Sequence, residues 1–206
     1  MESRLFQALK AFKGAEGCEA NLFEEFKKIA EAAFFSGYFL INGGCKDAYK
    51  LKLTCIEFYY HEDDGYIKDK IKYLKGKDEF GYALGAVCPN PSGVDVLFDD
   101  PQKKYHASFL IRGYKAIEPG KKEWENNEKR KDWASHDFWY DFFGGANMLN
   151  NGKFSIEWID DTDEKSGYAE PMPRINIEDN RLWGFKKVEN TEEYALKSQI
   201  KDFFFM

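Results

Sequence analysis

The stretch Tyr49-Lys50-Leu51-Lys52-Leu53-Thr54-Cys55-Ile56-Glu57-Phe58-Tyr59-Tyr60 alternates as a strand does, and the rest of the chain has to supply its sheet partners. Alternation places Leu51, Leu53, Cys55, Glu57 and Tyr59 on one face. The other face begins polar at Lys50, Lys52 and Thr54 and turns apolar at Ile56 and Phe58. Glu57 thus stands among apolar neighbours. A carboxylate on the apolar side of a strand loses hydration, which disfavours its charged form and makes it a better base. The alternative is that the strand ends near Ile56 and Glu57 is solvated, as most carboxylates are.

Other segments offer themselves as partners. Gly93–Phe98 and Tyr105–Tyr114 alternate as strands around Asp99-Asp100-Pro101-Gln102-Lys103-Lys104, a good hairpin connection. Val94, Val96 and Phe98 share one face of the first arm, opposite Asp95, Leu97 and Asp99. In the second, Phe109 and Ile111 oppose Ser108, Leu110 and Arg112. Apolar residues on both faces point to a central hairpin. Phe39–Ile41, Phe154–Ile159 and Arg174–Ile177 read as further short strands, and Asn42-Gly43-Gly44 as a turn.

Helices flank these strands. Leu5, Phe6, Leu9 and Phe12 fall at helical spacing within Ser3–Lys13, and Gly14 ends the run. A second helix, with Asn21 as a candidate cap, carries Leu22, Phe23, Phe26, Ile29, Ala30, Ala33 and Phe34 as a core stripe, ending at Gly37. Lys121–Asp141 is charged and then aromatic and reads as an amphipathic helix stopped by Gly144-Gly145. Thr191 would cap a final helix. The expectation is a single α+β domain over 1–206: N-terminal helices at about 3–36, a curved antiparallel sheet core at about 37–188, and a C-terminal helix at about 191–203.

With 19 Phe, 12 Tyr and 5 Trp the chain has ring area for a core and for a stacking pocket, and no linker divides it. A net charge of −6 argues against a uniformly basic nucleic-acid binder, though a local basic patch remains compatible with it. Cys18, Cys45, Cys55 and Cys88 show no CxxC pairing and the three histidines no zinc spacing, so the cysteines read as reduced thiols. Without a signal peptide at Met1-Glu2-Ser3-Arg4 or an apolar run near the ~20 residues that cross a bilayer, a soluble, cytoplasmic, monomeric protein away from membranes is expected.

The motif inventory narrows the chemistry. GxGxxG, the P-loop, HExxH and GxSxG are all missing. Ser135-His136-Asp137 has triad residue types, but triad members converge from distant positions rather than as neighbours. Glu62, Asp63 and Asp64 lack the oxygen-ligand spacing of a calcium loop and read as a solvated turn. They open a polar stretch of about 30 residues, long enough for a binding loop or lid. Carboxylates, tyrosines and an arginine are what remains.

The order of these pieces resembles the alkyladenine (3-methyladenine) DNA glycosylase family. Phe34-Phe35-Ser36-Gly37-Tyr38-Phe39-Leu40-Ile41 followed by the strand ending Ile56-Glu57-Phe58-Tyr59 is similar to the family's short strand and its Glu-Ala-Tyr signature, in which the Glu is the general base and the Tyr stacks on a flipped purine. Gly93–Asp99 resembles the strand ending near a pocket Asn, with Asp99 at that Asn. Ala107–Pro119 resembles the paired strand with its Leu-Arg-Ala step, and Arg112 matches the arginine. Gly144–Leu149 weakly echoes a Gly-Pro-x-x-Leu segment, and Pro173-Arg174-Ile175-Asn176-Ile177 is similar to Pro-Arg-Ile-Gly-Ile.

The resemblance implies hydrolysis of the N-glycosidic bond of damaged purines in DNA, as in base excision repair. Glu57 would be the catalytic base, Tyr59 with Tyr60 would stack on the base, and Asp99, Arg112 and Ser92 would bind substrate, with no metal and no cofactor. The departures bear on double-stranded DNA as partner: Ser92 stands where the family wedges a Tyr into the stack, and Asp99 brings a second carboxylate. Two other readings stay open: a non-enzymatic relative binding a nucleobase-like ligand or a protein partner, and a hydrolase of free nucleosides. Arg112 as an ion-pair partner of Asp95 or Asp99, and Asp99 as a turn residue, are the plainer alternatives.

Overall fold

A computed structural model describes residues 2–15, 18–43, 46–69, 84–90, 93–100, 102, 104–117, 124–126, 155–161, 167–175 and 177–189. Two helices precede the sheet: α1 (Arg4–Ala11) and α2 (Glu19–Phe35). Ser3 caps α1, its hydroxyl accepting the Phe6 N–H at 3.3 Å. α2 begins after Cys18, two residues before the expected Asn21 cap, and buries Leu22, Phe26, Ile29, Ala30, Ala33 and Phe34, the stripe that its spacing predicts.

The strands are β1 (Gly37–Gly43), β2 (Lys46–Glu62), β3 (Val87–Asn90), β4 (Gly93–Leu97), β5 (Tyr105–Ile117), β6 (Trp124–Asn126), β7 (Ser155–Asp160), β8 (Gly167–Met172) and β9 (Gly184–Glu189). All the pairings are antiparallel. Together they make one sheet, and the protein is α+β. Its spine is the long β2–β5 pair, running from Lys50 opposite Ile117 to Glu62 opposite Tyr105. Each spine strand divides its other edge between two neighbours. β2 pairs with β1 along its first half and with β9 at Cys55–Glu57, while β5 pairs with β4 at Ser108–Leu110 and with β6 at Tyr114–Ala116.

Both helices cover one face of the spine. Phe26 stacks on Phe58 with ring centroids 4.4 Å apart, and Phe12 meets Phe98, Tyr105 and Tyr60 edge-on. The strict alternation expected for β2 does not hold. Its register on β5 shifts between Leu53 and Cys55 and again between Cys55 and Ile56. An irregularity of this kind inserts a residue and inverts which face the following positions take. Leu51 and Leu53 therefore share the helix-covered core with Ile56, Phe58 and Tyr60. Gly113 sits opposite Cys55, where a Cβ would lie 2.6 Å from the Thr54 hydroxyl and 2.9 Å from the Cys55 Cβ. Only glycine lets the two backbones come that close.

The sequence reading and the structure part elsewhere too: Val87–Asn90, Gly167–Met172 and Gly184–Glu189 are strands it does not foresee. Trp124–Asn126, inside the expected helix at 121–141, is strand β6 on β5. The expected strand at 174–177 is not one: Pro173 begins the irregular connection from β8 to β9. The remainder of the 121–141 segment and the final helix at 191–203 lie outside the described residues. Among those described, no helix is long and apolar enough to cross a membrane.

Candidate functional site around Glu57

The register shift carries Glu57 through the sheet. It lies on the face away from the helices, in a row that reads Glu57, Leu110, Asp95 across β2, β5 and β4, with Gly184 of β9 on its other side. Tyr59, Ser108 and Leu97 form the next row on the same face. Glu57 is completely buried, at 0% exposure. A carboxylate in that position is tolerated only with donors on its oxygens.

Three donors among the described residues meet it. Arg112 of β5 gives its Nε–H to Oε2 at 2.8 Å, and the Tyr59 hydroxyl donates to the same oxygen at 3.1 Å. The backbone N–H of Ile175 donates to Oε1 at 2.5 Å. Arg112 retains a little exposure, 12% of its side chain. Burial, the largest influence, pulls its guanidinium pKa down, but the Glu57 charge, Tyr59 and the hydrogen bonds to both together outweigh it and the net direction is up. The Tyr59 phenol is pushed well above the ordinary tyrosine range, first by burial and then by the Glu57 charge beside it. At neutral pH the site therefore holds a charged arginine and a neutral, donating tyrosine.

The Ile175 amide belongs to the connection at 173–183, which Arg174 fastens. Its guanidinium bonds Asp69 at both oxygens, Nη1 to Oδ2 at 2.7 Å and Nη2 to Oδ1 at 3.2 Å, and Nη1 also donates to the Phe58 carbonyl of β2 at 3.1 Å. Nη2 reaches Asp179 as well. Arg181 completes the cluster, bonding Asp69 at 2.8 Å and Asp179 at 2.8 Å. Burial raises the Asp179 carboxyl and the bonds from Arg181 and Arg174 lower it further than that, for a net downward direction. The Arg174 guanidinium also faces the Tyr59 and Trp183 rings at 5.1 and 5.2 Å. Its buried Nε has no hydrogen-bond partner among the described residues.

These groups also finish the hydrogen bonding of β2 where β9 stops. The Phe58 N–H goes to the Trp183 carbonyl at 2.8 Å and the Phe58 carbonyl to Arg174. The Tyr60 N–H goes to the Asp69 carboxylate at 3.0 Å, and the Tyr60 carbonyl accepts the Asp69 N–H at 3.2 Å. Side chains and a loop stand in for a neighbouring strand.

Of the residues singled out from the sequence, Glu57, Tyr59 and Arg112 come together. Tyr60 does not join them: it is buried on the helix-covered face, its hydroxyl donating to Glu62 and accepting the Ala15 N–H. Asp99 is placed beyond the end of β4, where its carboxylate accepts the Ala107 N–H at 2.8 Å and meets His106 Nδ1 at 3.1 Å. In Glu57's own row the carboxylate is Asp95, which accepts from Ser108 Oγ at 3.0 Å. Ser92 lies outside the described residues. Sequence reasoning missed Asp69 and Arg174 as a pair, because they are far apart in the chain and neither repeats with any period. The one available signal was Pro173-Arg174-Ile175, read there as a strand. Among the described residues, no group of three or more His, Cys, Asp or Glu side chains is arranged to hold a metal ion. Compared with family models, with curated proteins and with solved structures, the chain matches none.

Proposed function

We propose that the protein is a DNA-3-methyladenine glycosylase-like hydrolase that cleaves the N-glycosidic bond of damaged purines in DNA, with Glu57 as the base. The observation that carries this reading is the pairing of a buried strand carboxylate with Arg112, while a tyrosine two residues on donates to the same oxygen. In the reaction, a water attacks the sugar C1′ as the bond from C1′ to the purine nitrogen breaks. Glu57 takes the proton of that water, and the bond electrons leave with the base. Arg112 orients the carboxylate and balances its charge, and the Tyr59 ring offers a stacking surface. The test is release of a methylated or deaminated purine from duplex DNA at low salt. Excision is expected from the unaltered chain, with Glu57→Gln slower by roughly a hundredfold or more. A chain that neither binds the duplex nor releases a base does not have this function.

A second reading has an observation of its own. Both Glu57 oxygens already accept protein donors and the residue has no exposed surface, which suits a non-enzymatic relative that binds a nucleobase-like ligand or a protein partner. On that reading free purine bases stabilise the chain thermally and Glu57→Gln leaves their binding unchanged. The net charge of −6 suits a third, hydrolysis of free nucleosides, for which sugar release abolished by Glu57→Gln is the test.

A further inference from the structure

Arg112 approaches Glu57 from the neighbouring strand and is held by the sheet itself. The other two differ. Tyr59 has its backbone in β2, opposite Ser108, but its ring has Arg174 against it, and the Ile175 amide belongs to a connection whose described residues form no strand. Both lean on Arg174. Its guanidinium faces the Tyr59 ring at 5.1 Å, and its own peptide carries the Ile175 N–H. Arg174 is in turn fixed by a bidentate bond to Asp69, by the Phe58 carbonyl next to Glu57, and by Asp179. Bidentate arginine–carboxylate pairs fix orientation as well as distance, which a lysine cannot do.

From this arrangement we infer that Arg174, oriented by Asp69, is the positioning residue of the Glu57 site: it seats the Ile175 N–H and the Tyr59 hydroxyl on the Glu57 carboxylate. Arg174 itself makes no bond to Glu57. Its fork takes up both oxygens of Asp69 and one carbonyl of β2, which ties the 173–175 backbone to β2 where the Ile175 N–H meets Glu57. Among the described residues, the charged groups around Glu57 are Arg112 from β5, Asp95 from β4 in the same row, and Arg174 from the connection at 173–183. Of these, Arg174 carries the Ile175 N–H on its own peptide and packs on the Tyr59 ring. Removing it leaves the Glu57–Arg112 bond in place, releases the Ile175 N–H and uncovers that face of Tyr59. The importance of this for catalysis rests on the reading of Glu57 as the base.

The test uses the substrate-free full chain, so a failure of excision and a failure of this inference are separate results. The Ile175 amide proton is followed by NMR, and the Glu57 carboxylate stretch by isotope-edited infrared spectroscopy, assigned by its loss in Glu57→Gln. In Arg174→Lys and in Asp69→Asn, the Ile175 proton is expected to move upfield and to exchange about tenfold faster or more. The carboxylate stretch is expected to shift toward that of a carboxylate with fewer donors, with Arg112 still bound. A merely structural Arg174 would leave that stretch alone in folded protein. Asp179→Asn, which weakens the more exposed arm of the clamp together with its bonds to Arg181, is expected to stay folded and to shift both signals the same way by less. An Ile175 amide and a Glu57 stretch unchanged in every folded variant, Asp179→Asn included, overturn the inference.

Discussion

Two ion pairs stand on β2 with the same separation. Lys52 Nζ lies 2.8 Å from Asp161, and Arg112 Nε lies 2.8 Å from Glu57. In the first pair the side chains are 36% and 23% exposed; in the second they are 12% and 0%. Distance does not separate these pairs, but their surroundings do. Water screens the first and competes for each partner, so its net worth is small. The second has lost water on the Glu57 side entirely, and each bond to Glu57 stands in for hydration it no longer has. One strand thus carries a surface contact near one end and a charge that must be matched near the other.

The largest test of this contrast is to unmatch the buried charge. Arg112→Met leaves Glu57 buried without its counter-ion, and a loss of about 3–5 kcal/mol is expected in urea unfolding. Replacing both partners sharpens the point: Glu57→Leu with Arg112→Met is expected to cost less than Arg112→Met alone, since no orphaned charge remains. If the single change costs under about 1 kcal/mol, the two pairs are alike and the contrast fails. Tyr59→Phe removes one donor to the carboxylate and should cost about 1.5–3 kcal/mol in the same measurement.

A smaller effect belongs to the neighbouring cluster and is read by pH. The Asp179 carboxyl is held below its ordinary range by Arg181 and Arg174. Its contribution is complete above the unfolded aspartate value of about 3.9 and is lost as pH falls through the lower folded value. Acid titration of stability should lose part of its slope below about pH 4 in Asp179→Asn, and an unaltered slope would exclude Asp179 from the acid limb. The smallest effect is expected at the exposed pair. Lys52→Ala should cost about 0–1 kcal/mol, with most of that vanishing at high salt, whereas the Arg112→Met loss should change little with salt.

The elements whose burial follows the chain's own period were legible in the sequence. The α2 stripe and the two faces of β4 and β5 read directly because each residue's environment is set by its neighbours in sequence. Three residues of the site, Glu57, Tyr59 and Arg112, were legible as chemistry. Their face was not: the reading put Glu57 beside Leu51 and Leu53, and the register shift at Thr54-Cys55 puts it opposite them. Nothing within β2 announces that shift; the clue is Gly113, on the partner strand. Strands β8 and β9 went unread: Pro171 cannot donate to a ladder and Lys186-Lys187 interrupts any apolar pattern, and the pairing of β9 with both β8 and β2 is what makes them strands. The Asp69–Arg174 contact joins positions 105 residues apart, and only the assembled sheet brings them together.

The way β2 ends has a consequence for how copies of this chain behave toward each other. Bare backbone groups along a sheet edge are a template on which a strand from another molecule can form. At Phe58–Tyr60, beyond the end of the β9 pairing, such a template would lie next to an apolar, aromatic sequence. Trp183, Arg174 and Asp69 occupy those groups instead. The cluster therefore also closes that stretch of edge to a strand from another copy.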